Sequence, residues 1–316
     1  MANLKVTPAE EKTVKALGFL RNKGTDNFSA RIITVNGKIT AAQQKIIGEA
    51  AEKFGNGDVT FTRRLTIEVP GIPYEKITEF QDYIGKEGLV TGGTGSKVRP
   101  VVACKGTVCH HGLIDTFDVS EDIHNIFFEG YAPVKLPHKF KIGVGGCPNN
   151  CMKPSLNDLG VIGQMVPNYD EELCMGCKKC SVEEACPIGA AKVVDGTLVI
   201  GDDCNNCGKC IGTCNFDAIP DGDKGYKVFI GGMWGKRVNP GVPINKIFKT
   251  KEEVFEIIEK MILLYREQGQ TGERVAQTVN RIGFENVEAQ LLSDEIFERK
   301  QEILEAELHM TGGATC

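Results

Sequence analysis

The chain has 316 residues, 41% of them hydrophobic, and a formal net charge of −5 at pH 7. These values predict a globular protein large enough for two or more domains, and they give no sign of a nucleic-acid-binding surface. No apolar run approaches the roughly 20 residues that cross a bilayer, and the opening residues lack the apolar centre of a signal peptide. We therefore expect a cytoplasmic protein with no membrane or nucleic-acid partner.

The first ninety residues alternate helical and strand-like patterns, which is typical of a small α/β unit. The predicted elements are a helix opened by the capping box Thr7-Pro8-Ala9-Glu10, a strand at 28–35, a helix at 40–54 capped by Thr40 and Gln43 and stopped by Gly55, a strand at 59–69, and a helix from about 73 to 88.

A glycine-rich linker at 92–96 precedes a second region with predicted strands at 98–103, 140–144, 159–165 and 226–230. A helix at 251–268 and two further helices are predicted to finish the chain. The cysteine-rich stretch from about 168 to 222 interrupts this region and contains the only internal repeat. We therefore predict three domains, formed by residues 1–90, by 91–167 together with 223–316, and by the inserted 168–222.

Twelve of the thirteen cysteines form three groups of four, and two groups have the spacing of bacterial ferredoxins. Each opens C-x2-C-x2-C and closes with a more distant fourth cysteine, giving Cys174, Cys177, Cys180, Cys186 and then Cys204, Cys207, Cys210, Cys214. Such sets fit 4Fe-4S cubes, whereas zinc would need two separated C-x2-C pairs. Because the fourth cysteine of each run serves the other cube in two-cluster ferredoxins, we expect Cys214 to complete the first set and Cys186 the second.

The third group is divided between two chain segments. Cys104 and Cys109 are spaced C-x4-C, and Cys147 and Cys151 are spaced C-x3-C. We predict a third 4Fe-4S cluster here, with a degenerate site as the alternative. A reducing compartment keeps such thiols free for metal, and Cys316 is left over as an expected free thiol.

The segments around this third group resemble the sirohaem-dependent sulfite and nitrite reductase family. The resemblance is carried by KFKIGVGGCPNNC at 139–151 with Asp158-Leu159-Gly160, by VTFTRRLTI at 59–67, by VRPVVAC at 98–104 and by IGGMWGKR at 230–237. It extends from about residue 12 to 290, and in organisation it is closest to the catalytic C subunit of anaerobic, dissimilatory-type sulfite reductases. One departure is the C-x4-C spacing, where many relatives have C-x5-C.

The resemblance implies an α+β fold with a ferredoxin-like N-terminal α/β unit, a mixed α/β domain for sirohaem and a 4Fe-4S cluster, and an inserted two-cluster ferredoxin domain. It implies sirohaem and three 4Fe-4S clusters as cofactors, with Cys151 as the thiolate that also ligates the sirohaem iron. The implied activity is the six-electron reduction of sulfite to sulfide. Sirohaem-dependent nitrite reduction and a non-catalytic iron-sulfur electron carrier are the alternatives.

The same resemblance implies basic residues around the substrate, namely Arg63, Arg99, Lys139 and Lys141. Further residues implied to hold the cofactor are Cys151, Thr62, Asn149, Asn150, Gly231, Gly232, Lys236 and Arg237. Guanidinium groups grip oxyanions and carboxylates, and lysine ammonium groups can donate protons. Solvated surface is the alternative for Lys139 and Lys141 and for Lys236 and Arg237.

Two local alternatives concern neighbouring residues. Alternation along a strand would put Arg63 and Arg64 on opposite faces, and the family pattern favours Arg63 as the site residue. His110 and His111 directly follow Cys109, and we expect them to be loop residues or residues behind the ligands rather than haem ligands.

The chain contains one copy of motifs that occur twice in many assimilatory relatives, so we expect a homodimer or a heteromeric complex. It also lacks a convincing dinucleotide-binding motif, so electrons should come from a donor subunit or a ferredoxin. Sulfite is the expected substrate, and nitrite is the alternative.

Overall fold

The computed structural model describes residues 5–309, and its N-terminal part is an antiparallel four-stranded sheet packed with three helices. In chain order the elements are α1 (Pro8–Ala16), β1 (Phe19–Arg21), β2 (Asn27–Ile32), α2 (Ala41–Phe54), β3 (Thr60–Phe61), β4 (Ile67–Pro73) and α3 (Ile77–Gly85). The strand order is β1-β2-β4-β3. Phe80 packs edge-to-face against Phe19 and Phe54, which anchors α2 and α3 to one core.

Both predicted capping boxes are present. The hydroxyls of Thr7 and Thr40 accept from the backbone N–H of the residue three positions later, and their own backbone N–H groups donate to the side chains of Glu10 and Gln43. The predicted strand at 59–69 is wrong, since it breaks into β3 and β4 around a turn. Leu65 has a positive φ of 58° there, and the Thr62 hydroxyl accepts the N–H groups of Arg64 and Thr66. A side-chain hydrogen-bonded turn therefore overrides the alternating pattern.

The second part is built on a mixed five-stranded sheet. Its first elements are β5 (Val102–Ala103), α4 (Thr116–Ile123), a π-helical turn (His124–Glu129), β6 (Ile142–Gly145) and β7 (Leu159–Pro167). Strands β5, β6 and β7 run parallel, so their carboxyl ends meet at one edge of the sheet. Of the predicted strand at 98–103, only the last residues and an isolated bridge from Val98 to Phe140 pair with the sheet.

The cysteine-rich segment leaves the sheet between two neighbouring strands. It contains α5 (Ser181–Ala185) and the hairpin β8 (Ala191–Val194) and β9 (Thr197–Ile200), after which the sheet resumes with β10 (Gly222–Ile230) and β11 (Val242–Phe248). The sheet order is β11-β10-β7-β6-β5. Pro167 and Gly222 are cross-strand partners in β7 and β10. The segment therefore occupies the position of a hairpin turn and leaves the ladder between these two strands continuous.

The long helix α6 (Lys251–Gln268) packs its apolar residues into the main core, as its spacing predicts. Four helices follow where two were expected: α7 (Val275–Ile282), α8 (Phe284–Leu292), α9 (Glu295–Glu298) and α10 (Lys300–Glu305). Gly283, with φ of 91°, separates α7 from α8, and short polar breaks divide the remainder. No helix in residues 5–309 is long and apolar enough to span a membrane, and Cys316 lies outside the described residues.

Candidate functional site

Four cysteines meet at the sheet edge where β5 and β6 end. Cys104 directly follows β5, and Cys147 lies just after β6. The Gly146 N–H donates to the Cys104 sulfur at 3.1 Å. Burial raises the pKa of the Cys147 thiol, and the neighbouring thiols Cys104, Cys151 and Cys109 act in the same direction. The structure thus brings the two separated pairs of the third group together.

The second ferredoxin-type run surrounds a small enclosed cavity. Its volume is about 20 Å³, and Cys186 lines it together with Cys204, Cys207 and Cys210. Burial raises the pKa of Cys210, with the other three thiols adding to the effect. The fourth cysteine of the first run therefore lies with the second run, which is the crossed arrangement expected for a two-cluster ferredoxin.

The first run packs against the small core of the inserted segment, where Cys174, Cys180 and Cys214 contact its apolar residues. Ser181, next to Cys180, donates its hydroxyl to the Thr213 carbonyl at 2.7 Å, which ties this run to the segment that carries Cys214. The Leu198 N–H donates to the Cys174 sulfur at 3.4 Å.

The chemistry of these three donor sets fits iron-sulfur cubes. Backbone N–H groups point at cysteine sulfurs, as they do around cluster thiolates, and the pKa of Cys174 is lowered by such bonds from Gly176 and Leu198. The dense C-x2-C-x2-C runs fit such cubes better than zinc, which is usually held by two separated C-x2-C pairs.

A cationic cavity of about 160 Å³ lies beside the third cysteine group. Arg63, Arg64, Lys141 and Lys153 line it together with the apolar or amide side chains of Val102, Met152, Leu156, Asn157 and Trp234. Met152 and Lys153 directly follow Cys151 in the chain, so this cavity and that thiol belong to one loop. No carboxylate from the described part of the chain lines it, and such a cavity suits an anion.

Arg63 and Arg64 both face this cavity, so the prediction that they lie on opposite faces of a strand is wrong. The turn at 62–65 replaces the strand and allows both side chains to point the same way. Arg64 is half-buried, whereas Arg63 is exposed, and Arg64 donates to Asn157 Oδ1 at 3.0 Å and to the Ile142 carbonyl at 3.3 Å. Burial lowers its pKa to about 10, and its buried Nε has no hydrogen-bond partner.

A buried ion pair holds the backbone of Lys141 in place, and no sequence pattern indicated this pair. Both carboxylate oxygens of the fully buried Asp158 accept from Arg274 Nη2 at 2.8 Å, and one of them also accepts from the Lys141 N–H at 2.9 Å. Burial lowers the pKa of the Lys141 ammonium to about 8, and the nearby Arg64 and Arg274 charges add to this effect. Asp158 lies within the family-like motif, whereas Arg274 has no local sequence signal.

Arg99 and Lys139 lie near this cavity but outside its lining. The Arg99 guanidinium donates to the linker carbonyls of Gly93 and Gly95, at 2.6 and 3.0 Å. Lys139 is half-buried beside His138, whose pKa is lowered to about 4 by burial and then by the surrounding cations. His138 is therefore neutral at pH 7.

The remaining predicted cofactor residues lie partly in the loops beside the cavity and partly on an exposed hairpin. Thr62 organises the arginine turn, and Asn150, with φ of 53°, bonds Ser155 while its buried Oδ1 has no partner. Gly232 permits a close approach, because a Cβ there would lie 2.2 Å from the Asn157 carbonyl oxygen, and its neighbour Gly231 has φ of 77°. Lys236 and Arg237 are exposed on the following hairpin.

A second cleft, of about 180 Å³, joins the inserted segment to the third cysteine group. His110, His111, Cys147 and Asn149 line one side, and Cys207 and Lys209 line the other. His110 and His111 are exposed loop residues, and His111 Nδ1 lies 3.4 Å from the Lys209 ammonium. The second run of cysteines is thus placed directly against the third group.

The basic side chains at this cavity also suit the carboxylate groups of the tetrapyrrole that the sequence resemblance implies. The buried Nε of Arg64, which lines the cavity, lacks a partner, and a buried donor without a partner is costly unless a ligand satisfies it. The Cys151 thiol is exposed at the same loop. The chain is thus an α/β protein in which a four-cysteine centre lies beside a cationic cavity.

Comparison with known sequences places this class of protein in a family. Residues 94–300 match the nitrite and sulphite reductase 4Fe-4S domain, and residues 21–86 match the nitrite/sulfite reductase ferredoxin-like half domain. The first match alone covers more than half of the chain. The chain therefore belongs to the nitrite and sulfite reductase family, whose members use sirohaem and iron-sulfur clusters.

Two relatives and one structure illustrate the similarity. The coenzyme F420-dependent sulfite reductase of Methanocaldococcus jannaschii is 33% identical over 76% of this chain and 38% of its own length. The C subunit of the anaerobic sulfite reductase of Salmonella typhimurium is 28% identical over 50% of this chain and 49% of its own length. Each match thus spans less than half of the relative.

Dissimilatory sulfite reductase I has the same fold, with a TM-score of 0.67 at 21% identity over 91% of this chain and 73% of its own. The predicted mixed α/β fold with a ferredoxin-like half domain is confirmed at this level.

Proposed function

We propose that this chain is the catalytic subunit of a sulfite reductase that converts sulfite to sulfide. The observation that carries the proposal is the cationic cavity beside Cys151, lined by four basic side chains and by no carboxylate of residues 5–309. Sulfite is a small oxyanion, and guanidinium and ammonium groups bind oxyanions through charge-assisted hydrogen bonds. Its reduction consumes six electrons and seven protons and gives hydrosulfide and three waters.

The residues of this cavity have separable roles in the proposal. Arg63 is exposed at the cavity and can contact an entering anion, whereas Arg64 is held by Asn157 and positions the cavity wall. Lys141 Nζ holds a proton that its lowered pKa, about 8, makes easier to release than that of an ordinary lysine. Arg274 and Asp158 hold the Lys141 backbone in place.

The cofactors follow from the donor sets. Cys104, Cys109, Cys147 and Cys151 would hold one 4Fe-4S cluster, with Cys151 shared with the sirohaem iron. When bound, the sirohaem and this cluster supply the substrate-binding iron and stored electrons. The two inserted cysteine runs would hold two more clusters in a ferredoxin-like domain at 168–222, and the outer domains comprise 1–90 and 91–167 with 223–316.

Electrons in this proposal enter through the inserted domain and reach the third cysteine group across the cleft at Cys147 and Cys207. An external donor subunit or ferredoxin supplies them. A homodimer or a heteromeric complex would complete the sirohaem environment, which is consistent with relatives that are named as subunits. The other proposed contacts to substrate or cofactor are Arg99, Lys139, Thr62, Asn149, Lys236 and Arg237.

The test is an anaerobic optical spectrum of the purified, reduced protein before and after addition of sulfite. We expect a sirohaem spectrum that shifts with sulfite, and we expect Lys141→Ala to keep this spectrum while lowering turnover. A cluster-loaded protein without sirohaem absorption would instead support the electron-carrier alternative. Parallel turnover with nitrite separates the two reductase activities, because a higher kcat/KM for nitrite would overturn the sulfite assignment.

A further inference from the structure

Lys153 and Trp234 close one side of the cationic cavity, although neither was a predicted site residue. The Lys153 ammonium lies 5.5 Å from the centre of the indole ring, within the range of a cation–π contact. Trp234 is 49% exposed and is the only tryptophan in the chain. A large aromatic side chain that is half exposed at a charged cavity has a surface available for a ligand.

The backbone holds Lys153 in an unusual conformation at this place. Its φ is 48°, in the left-handed region that L-residues rarely adopt, and its N–H donates to the Asn150 carbonyl at 2.8 Å. Asn157 Nδ2 donates to the Lys153 carbonyl at 3.2 Å, while Asn157 Oδ1 accepts from Arg64 at 3.0 Å. One amide therefore links the positions of two cavity cations, and strained backbone maintained in this way is typical of functional sites.

The same segment seats the hairpin that carries Trp234. A Cβ on Gly232 would lie 2.4 Å from the Ser155 carbonyl oxygen, so only glycine permits this close approach. Met233 and Asn239 then pair through two backbone hydrogen bonds of 2.7 and 2.9 Å. Lys153 and Trp234 are thus brought together by two loops whose backbones pack closely against each other.

The charge balance indicates what these residues bind. Within residues 5–309, Lys153 forms no ion pair with a carboxylate, and its cavity is lined by three other cations. A small oxyanion would need only the charges, whereas an aromatic wall beside the charges suits a planar ligand that carries several carboxylates.

We propose that Lys153 and Trp234 form a binding element for the carboxylated tetrapyrrole, with Lys153 pairing one carboxylate and Trp234 providing an aromatic surface. This inference rests on the proposed function, because it takes sirohaem to bind at the side of the cavity that Lys153 and Trp234 form. It adds two residues of this chain to the binding site and predicts that the single tryptophan reports occupancy of the cavity.

The experiment uses full-length protein that is loaded with clusters but produced without sirohaem. Sirohaem is titrated in anaerobically, and binding is followed both by its visible absorption and by quenching of Trp234 emission. We expect Lys153→Met to raise the dissociation constant about tenfold, as the loss of one charge-assisted hydrogen bond predicts. Lys86→Met is the matched control, because Lys86 makes a similar cation–π contact to Tyr83, on α3.

Equal sirohaem affinity in Lys153→Met and the wild type would overturn the role of Lys153. Emission that responds to sulfite alone, and not to sirohaem, would overturn the choice of ligand. If the visible absorption shows no binding of sirohaem to the wild type, the proposed function itself fails. Trp234→Phe should keep the absorption change and lose the emission signal, which verifies that the quenching comes from this residue.

Discussion

The inserted segment and the sheet that carries it are built in opposite ways. The insertion gathers its thiols from tight local loops around a core of only Val182, Ala191, Leu198 and Ile219. The sheet region places its third cysteine group and cavity from segments as distant as Arg64 and Arg274, on a large apolar core. The insertion therefore has little apolar core of its own, and we expect the proposed clusters to contribute much of its stability, whereas the sheet region has a large apolar framework.

The two regions also differ in charge. Residues 168–221 contain ten acidic and four basic residues, a formal charge of −6, and because the whole chain carries −5, the remainder carries +1. The cationic cavity thus lies in the part of the chain without net negative charge. Local arrangement, rather than overall composition, produces its positive character.

The largest effect should come from removing the insertion. Pro167 and Gly222 are cross-strand partners, so an Asn-Gly turn replacing residues 168–221 should close the hairpin. We expect the variant to lose about eight iron atoms, which is two 4Fe-4S clusters, and most donor-driven turnover, while it retains sirohaem. Iron and sirohaem per chain measure this outcome.

Cys151→Ser is the reciprocal variant. It should lose the third cluster together with sirohaem and keep about eight iron atoms in the insertion. Retention of both cofactors would show that Cys151 is not the shared ligand. A hairpin variant that loses sirohaem as well would show that the two regions are not independent.

The buried ion pair of the sheet region should give the next largest effect. Arg274→Met leaves the carboxylate of Asp158, which is fully buried, without its partner, and we expect a loss of about 3–5 kcal/mol in the free energy of unfolding. Urea denaturation measures it. Arg281→Met, which removes an exposed pair with Glu273, should cost about 1 kcal/mol or less.

Adding Asp158→Asn to Arg274→Met should recover part of the loss, since the amide carries no charge. If Arg274→Met lowers the free energy of unfolding by less than about 1 kcal/mol, water or neighbouring groups already compensate the charge of the carboxylate.

Lys141 should make the activity of the sheet region sensitive to pH. Its pKa is lowered to about 8, so the ammonium is present below that pH and is lost as pH rises through it. We therefore expect kcat/KM for sulfite to fall above about pH 8. Lys141→Arg retains its charge in this range, and its alkaline limb should move to higher pH. If the alkaline side of the kcat/KM profile does not move in Lys141→Arg, the titration belongs to another group. Lys12→Arg serves as the control.

The smallest effect should come from the contact between the two regions. Lys209 and His111 are exposed, and the insertion is also joined through the Met165 N–H, which donates to the Asn206 carbonyl at 2.8 Å. Lys209→Met should change the free energy of unfolding by about 0.5 kcal/mol or less. A loss above about 1 kcal/mol, measured by urea denaturation, would identify this contact as an anchor of the insertion.

Elements with local signals could be predicted from the sequence. Capping boxes at Thr7 and Thr40, the apolar face of α6 and the spacing of the ferredoxin-type cysteines each depend on residues that are close together in the chain. Capping bonds and ligand loops of this kind join residues within a few positions of one another, so their patterns can be read without the fold.

The arrangement of the cavity, in contrast, depends on contacts between distant parts of the chain. A turn at 62–65 directs both Arg63 and Arg64 into it, and Asp158 meets Arg274 across more than a hundred residues. The partners of a buried charge are chosen by packing and desolvation, which depend on what surrounds the group and not on its neighbours in the chain. Lys153 and Trp234 meet for the same reason, because two loops seated on one another bring them together.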